Sequence, residues 1–435
     1  MSRFMTTTHR ATQVGRGAPV FTKPVGSGGS TKRPNAPPSS RSCAAEPGIQ
    51  RRLRDLLKRH LRFWIPGSPS APRNDGGAFQ IAAGRRAIPI VGQVRSPASI
   101  GRSVPRALLL LLLAKPLHAE EIFVSNERDN TVSVIDGATL AVTRTFAVGR
   151  RPRGVTFSKD GSRLYVCASE SDAVQVIDPD TGLLLHNLPS GEDPEQFALA
   201  PDDRTLFIAN EENATTTVVD AVSRTVLAQI DVGIEPEGMA VSPDGRIAVT
   251  TSETTNMVHW IDVASLKAID ATPVGQRPRF AAFSPDGRTL WASSEIGGDV
   301  AVIDAATRKV VETIGFSVKG VASDRIQPVG ISLTRDGRYA FVALGPSDRV
   351  AVIDARTFQV VNYILVGRRV WQLAMTADES RLFTTNGVSG DVTVIDVASQ
   401  KPIKSIKVGR FPWGAAVRPP PAAGRPETRA AGAAE

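Results

Sequence analysis

The chain has 435 residues, 41% of them hydrophobic, and a formal net charge of +9. That charge is unevenly placed: residues 1–119 hold 20 Lys or Arg against three acids, Glu46, Asp55 and Asp75, so the remainder carries −8. An acidic body argues against a nucleic-acid partner, and with Cys167 the one cysteine after Cys43, no internal disulfide framework can form there.

Residues 1–101 are rich in Pro, Gly, Ser and Arg and lack sustained periodicity, so they read as a disordered extension or as sequence ahead of the true translation start. Arg51 to Trp64 has the composition of a short basic helix. Segment 102–119 differs. Arg102 and Arg106 precede the eight-residue apolar run Ala107 to Ala114, and Ala119 offers a small residue before a cut. This is a secretory signal pattern, and its apolar run is too short to span a bilayer. It implies export to the periplasm, with no membrane span in a mature chain beginning near Glu120.

From Glu120 onward one pattern recurs, seen clearly in Val300-Ala301-Val302-Ile303-Asp304. Its closing aspartates are Asp136, Asp178, Asp220, Asp262, Asp304, Asp354 and Asp396, at spacings of 42, 42, 42, 42, 50 and 42. Such a period indicates a propeller or a solenoid. Each unit holds short runs of Val, Ile, Phe and Thr between Pro-Asp-Gly, Asp-Gly or Val-Gly turns, with no helical spacing. Four strands of about five residues and their turns fill such a unit. The expectation is an all-β fold, a seven-bladed β-propeller of four-stranded blades over 120–418.

Within one unit the strands read Glu237 to Val241, Ile247 to Ser252 and Met257 to Asp262, with the turn Ser242-Pro243-Asp244-Gly245 after the first. The recurring aspartates are expected to accept hydrogen bonds from turn amides, a structural task. Ile122 to Asn126 matches a second strand, and Pro412 to Val417 matches the first strands Pro152 to Phe157 and Pro236 to Val241. One C-terminal strand therefore joins three N-terminal strands and closes the ring. The longer spacing places an insertion at Gly315 to Gln327, a natural place for recognition. Residues 419–435, rich in Pro and Ala, read as a disordered tail.

Phe123 to Asp136 (FVSNERDNTVSVID), Ser284 to Glu295 (SPDGRTLWASSE) and Pro273 to Gly287 (PVGQRPRFAAFSPDG) resemble the YVTN family of β-propeller repeats. Seven such repeats behind an export signal are similar to one subgroup, the propellers associated with PQQ-dependent catabolism of alcohols. The resemblance implies a monomeric, exported, non-enzymatic binding or scaffold protein. Its implied partner is a quinoprotein dehydrogenase or a transporter component. No cofactor is expected, because the Trp-bearing repeats of PQQ dehydrogenases are not seen.

Loops from the fourth strand to the next first strand share a face with those from second to third strands. Around the ring, the residues flanking the corner proline are Arg151 and Arg153, Asp193 and Glu195, Glu235 and Glu237, Arg277 and Arg279, Gln327 and Val329, Arg369 and Trp371, Phe411 and Trp413. The other loops add Glu127, Glu211, Glu253 and Glu295 at one repeat position, Glu170 one place later, and Gly345 and Gly387 in the last two repeats. These residues are expected to line the mouth of a central funnel. Arg369, Trp371, Phe411 and Trp413 would form an amphipathic pocket for a small aromatic or alcohol-like ligand or a partner's loop. Inter-blade salt bridges are the plainer use of the Arg and Glu pairs.

His186 and His259 occupy non-equivalent positions, so no His-rich metal site is expected. Glu127, Glu211, Glu253 and Glu295 could together coordinate Ca²⁺, though no metal is assigned. Neither a phosphate loop nor a G-x-S-x-G elbow occurs in the repeat region. The reading is thus a binding ring, more a non-enzyme than an enzyme. Its rivals are a lactonase-like hydrolase using Glu and Arg of this face, and a cell-surface structural or adhesion propeller.

Overall fold

The computed structural model describes residues 120–420. The expected extension 1–101, the signal-like segment 102–119 and tail residues 421–435 lie outside the described residues.

Short apolar runs between tight turns pair locally, and the described residues form 28 strands in seven four-stranded antiparallel sheets. In the fourth sheet, β12 (Pro236–Val241), β13 (Ile247–Ser252), β14 (Met257–Asp262) and β15 (Lys267–Pro273) lie in chain order. The first sheet is the exception. There β28 (Pro412–Val417) pairs with β1 (Glu121–Asn126), followed by β2 (Thr131–Asp136) and β3 (Ala141–Ala147). The register Ile122 to Val417, Phe123 to Ala416 and Val124 to Ala415 closes the ring as expected.

The first strands of the other blades are β4 (Pro152–Phe157), β8 (Pro194–Leu199), β16 (Pro278–Phe283), β20 (Ile331–Leu333) and β24 (Val370–Met375). Each first strand packs on the next, from β4 round to β28 and back to β4, so these seven strands form the wall of the central channel. Second and third strands are buried on both faces because blades stack against one another. Val249, Val258 and Trp260 of the fourth blade meet Leu290, Ala292 and Ile303 of the fifth in one such layer. Ile122, Val124 and Ile135 meet Phe383, Val392 and Val394 where the chain ends join.

The seven repeat aspartates each accept from a backbone amide two or three residues on, as in Thr139 N to Asp136 Oδ1 at 2.7 Å and Thr307 N to Asp304 Oδ1 at 2.7 Å. Those amide bonds hold Asp136, Asp304 and Asp354 below the usual carboxylate range. The insertion after β19 (Lys309–Gly315) folds back on its blade. Val318 and Ile326 are buried with Ile331 and Val342, and Arg325 donates to the Pro346 carbonyl. Among the described residues no helix is long and apolar enough to cross a membrane.

Candidate functional site

Two local devices aim side chains at one end of the channel. The residue before each first strand adopts left-handed backbone in six of the seven corners: Arg151, Asp193, Glu235, Arg277, Arg369 and Phe411 have φ between 53° and 58°. None is glycine, and that conformation costs each about 1–2 kcal/mol. Side chains 21 residues earlier hold four of the amides: Asn130 Oδ1 accepts from Arg151, Asp172 from Asp193, Asn256 from Arg277 and Asp348 from Arg369, all at 2.8–3.0 Å.

The second device is a β-bulge. In six first strands the pairing skips after the leading residue, which leaves Arg153, Glu195, Glu237, Arg279, Trp371 and Trp413 out of register. A bulge re-aims the side chain it carries. The corner carbonyls also fix the neighbouring loop: Glu211 N donates to Asp193, Glu253 N to Glu235, Glu295 N to Arg277 and Glu127 N to Phe411, at 2.8–3.0 Å. Corner, bulge and loop residues of each blade thus converge, although they are 18 positions apart in sequence.

The result is a network of two guanidinium-centred cages. In the first, Arg151 Nη1 reaches Asp193 Oδ1 at 2.7 Å and Oδ2 at 2.8 Å, while Nη2 reaches Glu195 Oε1 at 2.8 Å. Glu127 and Glu211 stand 3.7 and 3.8 Å from the same guanidinium. Arg153 approaches Glu195 Oε2 at 2.9 Å, an ion pair without hydrogen-bond alignment, and Glu237 Oε1 at 3.8 Å. In the second cage, Arg279 pairs with Glu237 at 3.0 Å, closely with Glu253, and with Glu295 at 3.7 Å. Arg277 Nε lies 2.9 Å from Glu253 Oε2 and 3.2 Å from Glu295 Oε2, and Arg369 Nη2 lies 3.2 Å from Glu295 Oε1.

Burial separates the carboxylates by charge state. Glu195, Glu237, Glu253 and Glu295 are at most 4% exposed. Desolvation raises Glu195, Glu237 and Asp193 above the ordinary carboxylate range, and pushes Glu253 up to about 8. Glu295 is equally buried, yet Arg279, Arg277 and Arg369 together outweigh its desolvation and hold it below that range.

Carboxylate oxygens of Asp193, Glu195 and Glu211 lie within 4.8 Å of one another, a donor set suited to a hard divalent cation. The Arg151 guanidinium already holds two of the three by hydrogen bonds and stands near the third, so this cluster is built around an organic cation. The Ca²⁺ grouping of Glu127, Glu211, Glu253 and Glu295 is split between the cages in the same way.

The aromatic residues do not form one pocket. Arg369 covers Trp371 at 4.3 Å, Arg128 covers Phe411 at 3.6 Å, and Arg153 lies 5.0 Å from the Trp413 ring. Trp413 is 1% exposed and lies beneath Arg153, away from any incoming molecule, whereas Trp371 is half-buried. Gly387 is required beside it: a Cβ there would stand 2.4 Å from Trp371 Nε1. Glu170 stays outside the network and exposed, 3.9 Å from Arg150.

Residues 236–405 match the family "Lactonase, 7-bladed beta-propeller", and residues 102–214 match "YNCE-like beta-propeller". The chain is a seven-bladed propeller related to both. The narrower PQQ-associated subgroup is carried by neither match. No curated protein matches the sequence. Among solved structures, a hydrazine synthase from Kuenenia stuttgartiensis is 22% identical, with TM-score 0.56 over 62% of this chain and 90% of that one. A functionally unknown protein from Desulfotomaculum acetoxidans is 17% identical, with TM-score 0.61 over 69% and 100%. A putative 6-phosphogluconolactonase from Bacteroides uniformis is 16% identical, with TM-score 0.59 over 69% and 99%. At these identities the likeness is one of fold.

The expectation that this propeller is more a non-enzyme than an enzyme is corrected here. The lactonase match contains the second cage, and the buried grouping of Asp193, Glu195 and Glu211 adds a further set of perturbed acids at the same mouth. Strongly shifted carboxylates in a concave site are what acid–base chemistry requires.

Proposed function

We propose that this chain is a hydrolase that opens a lactone or comparable cyclic ester at the channel mouth. The observation that carries this reading is the pair Glu253 and Glu295. Both lie within 3.2 Å of the same Arg277 Nε, yet one is pushed up to about 8 and the other held low. Two neighbouring carboxyls with opposite shifts divide the roles of acid and base.

In this reading Glu295, ionised, takes a proton from water as the water oxygen attacks the ester carbonyl carbon. The oxyanion that forms is met by Arg277 and Arg369, the two guanidiniums of the second cage with 40% and 30% of their side chains exposed. The ring C–O bond then breaks, and the leaving alkoxide takes the Glu253 proton. The product is a hydroxy acid, and the proton gained by Glu295 balances the one given by Glu253. The first cage positions Glu237, which bridges Arg153 and Arg279. Segment 102–119 places this activity in an exported protein, which fractionation of expressing cells tests.

The test is a pH-stat assay of the purified protein on γ-butyrolactone and δ-valerolactone at pH about 7, with Glu253→Gln alongside. General acid–base groups contribute about 10²–10⁴ in rate, so saturable acid release by the wild type and a loss of that order in the variant are expected. Acid release no faster than the uncatalysed control overturns the proposal.

A further inference from the structure

The charge state of the mouth bears on which lactone it takes, an inference that rests on the hydrolytic reading above. Five guanidiniums, those of Arg151, Arg153, Arg277, Arg279 and Arg369, are linked by ion pairs to seven carboxylates, Glu127, Asp193, Glu195, Glu211, Glu237, Glu253 and Glu295. Fully ionised, the network holds two negative charges in excess.

Every one of those guanidiniums is already engaged. Recognition of a carboxylate or phosphate uses the forked N–H groups of arginine in pairs. The Arg151 fork is taken by Asp193 and Glu195, and the Arg279 fork by Glu237 and Glu253. Arg153 pairs with Glu195 while its guanidinium lies over Trp413. Arg277 and Arg369, the more exposed two, hold Glu253 and Glu295. An anionic substrate would have to draw a guanidinium off a buried carboxylate and leave that carboxylate uncompensated.

A neutral ester makes no such demand. Its carbonyl oxygen needs single N–H or O–H donors, which the exposed guanidinium edges and a protonated Glu253 can supply. Its uncharged body also has a place. The sixth blade carries Gln327, Val329 and Gly345 at positions where other blades carry Arg, Asp or Glu, and the Arg369–Glu295 ion pair spans this uncharged sector from the seventh blade to the fifth.

We propose that the mouth selects uncharged lactones and rejects lactones bearing a carboxylate or phosphate. Like-charge juxtaposition at a recognition surface is strongly unfavourable, so a preference of about 100-fold or more in kcat/KM is expected.

The test compares γ-butyrolactone with its ring-carboxylated counterpart on the full chain, by pH-stat turnover and by calorimetric binding at pH about 7. The proposal expects the neutral ring to bind and react, and the carboxylated ring to do both at least 100-fold less well. It also expects Glu127→Gln with Glu211→Gln, which removes the excess charge, to narrow the gap. Equal or better binding of the carboxylated ring overturns the proposal, as does failure of the neutral ring to bind at about 10 mM. Selective binding of the neutral ring without turnover would uphold the charge selection and overturn the hydrolytic reading alone.

Discussion

Glu253 and Glu295 occupy the same repeat position, and replacing each by Gln separates their charge states. Glu253, pushed up to about 8 by burial, is mostly a neutral carboxylic acid at pH 7, so a neutral amide of similar shape there should cost about 1 kcal/mol or less. Glu295 is ionised and pairs with Arg277, Arg279 and Arg369, so Gln leaves buried guanidiniums short of a counter-charge, at about 3–5 kcal/mol. The pH dependence follows the same logic. A carboxyl whose folded pKa lies above its unfolded value favours folding while protonated, so its contribution is complete below the unfolded pKa and is lost as pH rises through the folded one. For Glu253 that window runs from the ordinary 4.5 to about 8, with a slope of at most about 1.4 kcal/mol per pH unit for one proton. Asp193, Glu195 and Glu237 shift in the same direction and steepen it. Urea unfolding of the wild type followed by tryptophan fluorescence should therefore show stability falling from pH about 5 to about 8, with a shallower fall in Glu253→Gln. Equal destabilisation by the two variants at pH 7, or a wild-type stability that rises across this window, would refute the assignment.

Other outcomes follow from single contacts. Gly387→Ala places a methyl group 2.4 Å from Trp371 Nε1, and should cost about 1–3 kcal/mol and shift the tryptophan emission. Arg151→Ala removes the organic cation from among Asp193, Glu195 and Glu211, so the variant should bind Ca²⁺ by calorimetry where the wild type does not. Asp304→Ala loses the turn bonds from Thr307 and should lower stability by about 1 kcal/mol in urea titrations, with the activity of the mouth unchanged.

Much of the architecture was legible because a repeat makes each unit a copy of the next. The spacing of Asp136 through Asp396 set the blade count, and the likeness of Pro412 to Val417 to other first strands placed the closure before β28 was seen against β1. The face holding Glu127, Glu211, Glu253 and Glu295 was legible too, since strand direction alone puts those loops beside the corners. Charge state was not. Glu253 and Glu295 share a repeat position and a loop conformation, and what separates them is the number of guanidiniums that three blades bring to each. Nor could Trp371 and Trp413 be told apart: both sit in bulges, but Arg153 seals one while Gly387 leaves the other room at the rim. The left-handed corners carried no glycine to announce them; Arg, Asp, Glu and Phe hold that backbone, supported at four corners by an Asn or Asp side chain 21 residues back. Finally, the insertion read as an open loop, whereas Val318 and Ile326 tie it into its own blade.

The account depends most directly on Glu295 acting as the base that activates water. Single-lactone kinetics on the wild type and on Glu295→Asp at matched folded fraction would test it, because aspartate keeps the charge and its ion pairs while withdrawing the carboxylate by one methylene. The account predicts a fall in kcat of about 10²-fold with KM little changed, since positioning of the base is lost and binding is not. An unchanged kcat would contradict it and would move the chemistry away from this carboxylate.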